Sequence, residues 1–182
     1  MEQSNLFIVI GIVIFIVIIW YIVVSNKIKT LNIKIDESLS GIDVALTKRY
    51  DVITQMVEVV KGYAKHEKEV LTKVIEIRKN MSLTEKNAVN KAMNEKKDKI
   101  NVVVENYPEL KANENFKVLQ KSILDVEEHL QAARRCYNAN VSLYNQMISS
   151  FPSVIVAKSK KMVEKEFFEA EESKKENVKV DL

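Results

Sequence analysis

Two histidines and one cysteine are the residues through which this chain could do metal or nucleophilic chemistry, and their spacing argues against both. A di-metal site inside a helical bundle needs a glutamate three residues before each histidine. Tyr63 precedes His66 at that spacing and Val126 precedes His129. The stretch His66-Glu67-Lys68-Glu69 lacks the second histidine of a zinc-protease helix. Both histidines read as solvated helix positions. Cys136 follows Arg134-Arg135, an electropositive setting of the kind reactive thiols use. No histidine stands at a readable partner position, and a half-buried bundle cysteine is the better reading. A single cysteine also allows no intramolecular disulfide. There is no glycine-rich phosphate loop and no nucleophile elbow. The expectation is a chain without catalytic, cofactor or metal residues, not an enzyme, with no small-molecule substrate evident.

Two polar clusters remain. Tyr137-Asn138 recurs seven residues later as Tyr144-Asn145, behind Arg134-Arg135. Seven residues are two helical turns, so the copies share a face. The plainer reading is a polar layer that fixes helix register; the sharper one is a docking surface. In Lys48-Arg49-Tyr50-Asp51, charge intrudes on an apolar stripe. A solvated face is the plainer reading there, although Arg49 could pair with a carboxylate across a bundle. The candidate interaction residues are therefore Arg49, Asp51, Arg134, Arg135, Tyr137, Asn138, Tyr144 and Asn145.

The elements that must position them begin with a run free of charge from Leu6 to Val24, LFIVIGIVIFIVIIWYIVV. As a helix it is about 28 Å long, close to the hydrocarbon thickness of a bilayer. Lipid offers the backbone no other partners, so the span must be helical. A cleavable signal would need a basic start and a small-residue cleavage site. MEQSN has no lysine or arginine, and the run ends in WYIVVSNK. This predicts an uncleaved anchor, with Trp20 and Tyr21 in the interfacial belt. Lys27, Lys29 and Lys34 follow the span and no lysine or arginine precedes it. The positive-inside rule places residues 1–5 outside the cell and the rest in the cytoplasm, with Lys27 and Lys29 against the headgroups.

Three glycines and two prolines in the whole chain leave almost nothing to build sheet turns from. The expected class is all-α: a transmembrane helix, then an elongated antiparallel four-helix bundle over residues 25–168 with a long first helix, then a charged, flexible tail at 169–182. Apolar positions at three- and four-residue spacing support a bundle or coiled-coil seam. They run Ile35, Leu39, Ile42, Leu46, Ile53, Val60, Ala64, Leu71, Val74, and later Phe116, Leu119, Ile123, Val126, Leu130, Ala133, Tyr137, Tyr144, Ile148, Phe151. Ser82-Leu83-Thr84-Glu85 reads as a capping box. Pro108 ends the helix before it, Asn113 caps the next, and Pro152 can open the last. The expected helices span about 27–80, 83–105, 114–150 and 153–168, the first able to continue the anchor and to bend at Gly41 or Gly62. A formal net charge of +3, mixed along the chain, gives no nucleic-acid footprint.

Several stretches together resemble the LemA family of bacterial membrane proteins. They are GIDVALTKRYD (41–51), VKGYAKHEKE (60–69), NYPELKANENF (106–116), ARRCYN (133–138), VSLYN (141–145) and SFP (150–152), in the family's order behind an N-terminal anchor. The resemblance implies a single-pass protein of the bacterial cell membrane with a cytoplasmic helical bundle, and it implies no reaction. The chain departs from the family's pattern at Leu39, usually Trp, and at Thr54-Gln55, usually Pro-Asn, which favours an unbroken first helix. Its tail carries Val178 and Leu182 where the family ends Pro-x-Val-x-Phe. The expected role is an interaction or scaffold module whose partners are the lipid bilayer and a protein or a second copy. The alternatives are a self-assembling structural protein, or an accessory factor of a membrane protease or transporter.

Overall fold

A computed structural model describes residues 2–64 and 81–168. The described residues are all-helical, without strands. Helix α1 spans Glu2–Tyr63, α2 Leu83–Asn106, α3 Pro108–Ala112, α4 Glu114–Ser149 and α5 Ser153–Ser159.

The apolar run and the residues that follow it to Tyr63 form one helix. Helix α1 passes through Gly11, Gly41 and Gly62 without interruption. Its character changes along its length. From Leu6 to Ile19 every apolar side chain is exposed, on all sides of the helix. From Val24 onward one stripe is buried: Ile28, Ile35, Ile42, Leu46, Ile53, Val60. It is the one described helix long and apolar enough to cross a membrane. Its end at Tyr63 falls short of the expected 80; residues 65–80 lie outside the described ones.

The other boundaries follow local chemistry. Ser82 and Glu85 form the capping box: the Glu85 amide donates to Ser82 Oγ at 3.2 Å, and the Ser82 amide donates to Glu85 Oε2 at 2.7 Å. Tyr107, at φ −124° and ψ 87°, is held out of the helical region by Pro108. Pro108 then opens the short α3 at its first turn, an element not foreseen from sequence. Asn113 Oδ1 accepts from the Phe116 amide at 3.0 Å at the start of α4.

Helix α5 stops nine residues before the expected end at 168. Lys161 adopts φ 52°. Its amide donates to the Lys158 carbonyl at 3.1 Å, and the Met162 amide donates to the Ala157 carbonyl at 3.0 Å. These are the two bonds of a Schellman terminus, with lysine where glycine is usual. Residues 162–168 continue without helix.

The chain forms two compact units. The first comprises Met1–Ser38 with Cys136–Phe167, and the second Leu39–Arg135 with Phe168–Leu182. In the first, Val24, Ile28 and Ile35 of α1 are buried, as are Val141, Tyr144 and Ile148 of α4 and Val156 of α5. In the second, Ile53, Met56 and Val60 pack with Met93 and Ile100 of α2 and Phe116 of α4. Phe151, placed on the seam by its spacing, is 82% exposed in the turn between α4 and α5. The turn carries it past the last buried position, Ile148.

Candidate functional site

Arg49 is the most informative side chain of the second unit. It occupies a core position of α1, one turn after Leu46 and one before Ile53, and is 2% exposed. That corrects the solvated-face reading at Arg49, which pairs with a carboxylate on another helix, while Lys48 and Asp51 are exposed. A guanidinium cannot lose its charge in a protein, so burial demands acceptors. Two helices supply them. From α2, Asn90 offers Oδ1 at 2.5 Å and its carbonyl at 3.4 Å, and Asn94 offers Oδ1. From α4, Glu127 offers Oε1 at 3.1 Å. Lys97 reaches the same Glu127 oxygen at 2.7 Å. Only Nε of Arg49 lacks an acceptor among the described residues.

Asp43 pairs with the buried Lys86 at 2.5 Å, and Asn113 Nδ2 donates to Tyr63 Oη at 2.8 Å. Partner numbers thus rise together for α1 and α2, and run in opposite senses for α1 and α4. The cluster joins three helices through one cation. Both terminal nitrogens of the guanidinium are engaged in joining them.

The Tyr-Asn repeat does different work in the first unit. Tyr137 and Tyr144 are buried on α4. The Tyr137 hydroxyl donates to the Glu166 carbonyl at 3.0 Å. Asn145 Nδ2 donates to the Lys165 carbonyl at 2.9 Å, and its Oδ1 accepts from the Lys165 amide at 2.9 Å. The repeat therefore grips the backbone of the non-helical segment after α5. Between the copies, Asn140 Nδ2 donates to the Lys34 carbonyl at 3.2 Å and to Ser38 Oγ at 3.3 Å. Burial, then the carboxylates of Glu166 and Asp36, raise the Tyr137 phenol above its ordinary range. Burial raises Tyr144.

The remaining sequence candidates scatter. Asp51 and Arg135 are exposed, and Asn138 is half-buried. Arg134 lies in the second unit with its guanidinium 5.0 Å from the Phe168 ring centroid, a cation–π distance. Cys136 is exposed, not half-buried as expected, because it faces away from the stripe that holds Tyr137 and Val141. His129 is exposed; His66 lies outside the described residues. Trp20 is half-buried, while Tyr21, Lys27 and Lys29 are exposed at the end of the apolar run. Among the described residues no group of three or more His, Cys, Asp or Glu could hold a metal ion.

Sequence reasoning missed Asn90, Asn94, Glu127 and Lys97 as partners of the Arg49 cluster. One signal was present: Asn90 and Asn94 sit four residues apart, on one face of a helix that also buries Val89 and Met93. Two amides beside core positions mark a polar layer.

A family model described as LemA family matches residues 38–182. No curated protein of similar sequence was found.

Proposed function

From the premise that this chain belongs to the LemA family, we propose that it is a non-enzymatic interaction module. It is held at the cytoplasmic face of the bacterial membrane by its first helix. The observation that carries this reading is the change of character within α1. Leu6 to Ile19 are exposed on every side, whereas Ile28 to Val60 bury a single stripe. A core helix would be covered, and a contiguous apolar surface of that size in water marks an interaction site or a membrane contact. A bilayer covers all sides of a single helix at once. Helix α1 leaves this stretch without a break and continues to Tyr63. The antiparallel four-helix arrangement is part of the proposal. Its antiparallel sense draws on the register of α1 with α4, set by Arg49–Glu127 and Tyr63–Asn113, whereas α2 runs parallel to α1 through Asp43–Lys86 and Arg49–Asn90.

Cytoplasmic placement rests on Lys27, Lys29 and Lys34 after the run. The exposed Cys136 is a natural reporter. In intact cells it should resist a membrane-impermeant thiol reagent and react after permeabilisation; reaction before permeabilisation reverses the orientation.

The buried tyrosines serve the chain itself, so a partner surface is sought among exposed groups such as Asp51 and Arg135. Crosslinking in native membranes followed by purification should recover a stoichiometric partner, reduced by Asp51→Lys with Arg135→Glu. Recovering neither a partner nor a second copy would remove the reading. A second reading, self-assembly, draws on Val102, Val118 and Leu124, which α2 and α4 leave exposed. Sedimentation of the detergent-solubilised chain separates the two: a monomer at high concentration excludes self-assembly.

A further inference from the structure

The turn between α4 and α5 exposes apolar side chains beside the end of the anchor. Phe151 is 82% and Ile155 56% exposed. The other side of α5 is committed, with Ser153, Val156 and Ala157 buried. Its packing fixes its level along α1. Ser159 Oγ lies 3.1 Å from the Tyr21 hydroxyl, Lys160 Nζ lies 6.0 Å from the Tyr21 ring centroid, and Lys160 donates to Ser25 Oγ. Tyr21 belongs to the aromatic pair near the end of the apolar run, so α5 sits where that run meets water.

The charge at this level has one sign. Residues 150–163 carry Lys158, Lys160 and Lys161 and no carboxylate. Residues 25–35 carry Lys27, Lys29 and Lys34 and no carboxylate. Two exposed apolar side chains on a segment whose only charges are lysines match the chemistry of interfacial membrane binding: a shallow apolar contact plus attraction to anionic headgroups. The patch is also continuous in level with the exposed apolar belt of α1.

We propose that the segment Phe151–Lys161 is a second membrane contact, seated on an anionic lipid surface next to the anchor. Phe151 and Ile155 enter the boundary between headgroups and acyl chains, and Lys158 and Lys161 meet the phosphates. This rests on reading Leu6–Val24 as the span. Its consequence is mechanical: a lone helix can rotate and tilt, whereas a helix with an adjacent surface contact holds its compact unit in one orientation on the membrane.

The test uses the full chain with Cys136→Ser and single cysteines at four positions in turn: Ile155→Cys, Phe151→Cys, Ile14→Cys and Asp51→Cys. Each carries an environment-sensitive fluorophore. The protein is reconstituted in phosphatidylcholine vesicles containing phosphatidylglycerol, with lipid-borne quenchers at shallow or deep positions. Shallow quenchers should reduce emission at 155 and 151 severalfold more than at 51, and deep quenchers should act at 14. Omitting phosphatidylglycerol, or adding Lys158→Gln with Lys161→Gln, should lose most of the quenching at 155 and leave that at 14 unchanged. Quenching at 14 with 155 and 151 behaving like 51 overturns the second contact and leaves the anchor standing. No quenching at 14 removes the anchor, and the proposal with it. A signal at 155 that depends on diluting labelled with unlabelled protein, and not on the lipid quenchers, assigns the patch to a second copy and likewise overturns the proposal.

Discussion

Asn145 and Lys165 share a reciprocal pair of 2.9 Å hydrogen bonds, side-chain amide to backbone amide, that ties the segment after α5 to α4. An asparagine side chain carries an N–H donor and a carbonyl acceptor side by side, so it can bond both the C=O and the N–H of one backbone residue, as a neighbouring strand would. Replacing it by leucine keeps the bulk and removes both bonds. Each is worth about 1 kcal/mol net. In Asn145→Leu the Lys165 amide should exchange with deuterium about tenfold faster or more. Amides within α2 serve as controls. An unchanged rate at Lys165 would show that the segment is held by something other than this pair.

Arg49 should be among the costliest single positions outside the apolar core. Its charge is buried between α2 and α4, and removing it leaves Asn90 and Asn94 facing one another without a cation. Breaking a buried pair typically costs about 3–5 kcal/mol. Glu127 keeps Lys97, so Arg49→Ala is expected near the lower end of that range. Arg49→Lys retains charge but not the fork that reaches two helices, and should recover only part of the loss. A double-mutant cycle with Glu127→Gln should return a coupling of about 1–3 kcal/mol. A coupling near zero in urea titrations would mean that the asparagines alone hold the arginine.

Tyr137 and Tyr144 should make the fold sensitive to alkali. Both phenols titrate above their ordinary value of 10.0 in the folded chain, Tyr137 through burial and then Glu166 and Asp36, Tyr144 through burial. In the unfolded chain they ionise at the ordinary value. Their contribution to stability is therefore complete below that pH and is lost as pH rises through the folded values. Lys96, lowered by burial and then by Lys99, acts with the opposite sign. Comparing urea midpoints at about pH 8 and about pH 11, the native chain should lose stability at the higher pH. Tyr144→Phe should lose less. Tyr137→Phe should also flatten the profile, while starting lower by about 1 kcal/mol because the bond to Glu166 is gone. Equal alkaline losses in all three chains would place the titrating groups elsewhere.

Much of the helical framework was legible because its signals are local. The Ser82–Glu85 box, Pro108 and Asn113 each act within four residues, and the structure places a helix boundary at each. The seam from Ile35 to Val60 was legible from spacing alone. What was not legible depends on which faces meet. Arg49 looked solvated because its acceptors lie on helices far along the chain. The Tyr-Asn repeat stood out, but its ligand is the backbone of Lys165 and Glu166, and a backbone leaves no mark in a sequence. The stop of α5 was hidden for the opposite reason: it is local, but no glycine or proline announces it.

The continuity of α1 makes a prediction of its own at Gly62. The helix runs through this residue to Tyr63, and among the described residues an added Cβ would meet nothing within 4 Å. Alanine there should stabilise by about 0.5–1 kcal/mol, since glycine in a helix interior carries that penalty. Gly41→Ala should behave similarly, because its Cβ would stand 4.0 Å from Ala133 Cβ, an ordinary contact. A loss of stability at either position, read from urea midpoints in detergent, would reveal a bend or a close approach that the continuous helix does not contain.

Lys161 invites the reverse exchange. At φ 52° it occupies the left-handed region, which costs a residue with a Cβ about 1–2 kcal/mol and glycine almost nothing. Glycine also gains freedom in the unfolded chain, which offsets part of the difference, so Lys161→Gly should stabilise by about 0.5–1 kcal/mol. Lys161→Val, with its branched Cβ, should destabilise by about as much or more. The readout is deuterium exchange at the Met162 amide, which donates to the Ala157 carbonyl across the terminus. It should slow in the glycine variant and speed up in the valine variant. If α5 instead ran on through 168, as its sequence suggests, the same glycine would interrupt a helix, and exchange at Met162 would rise.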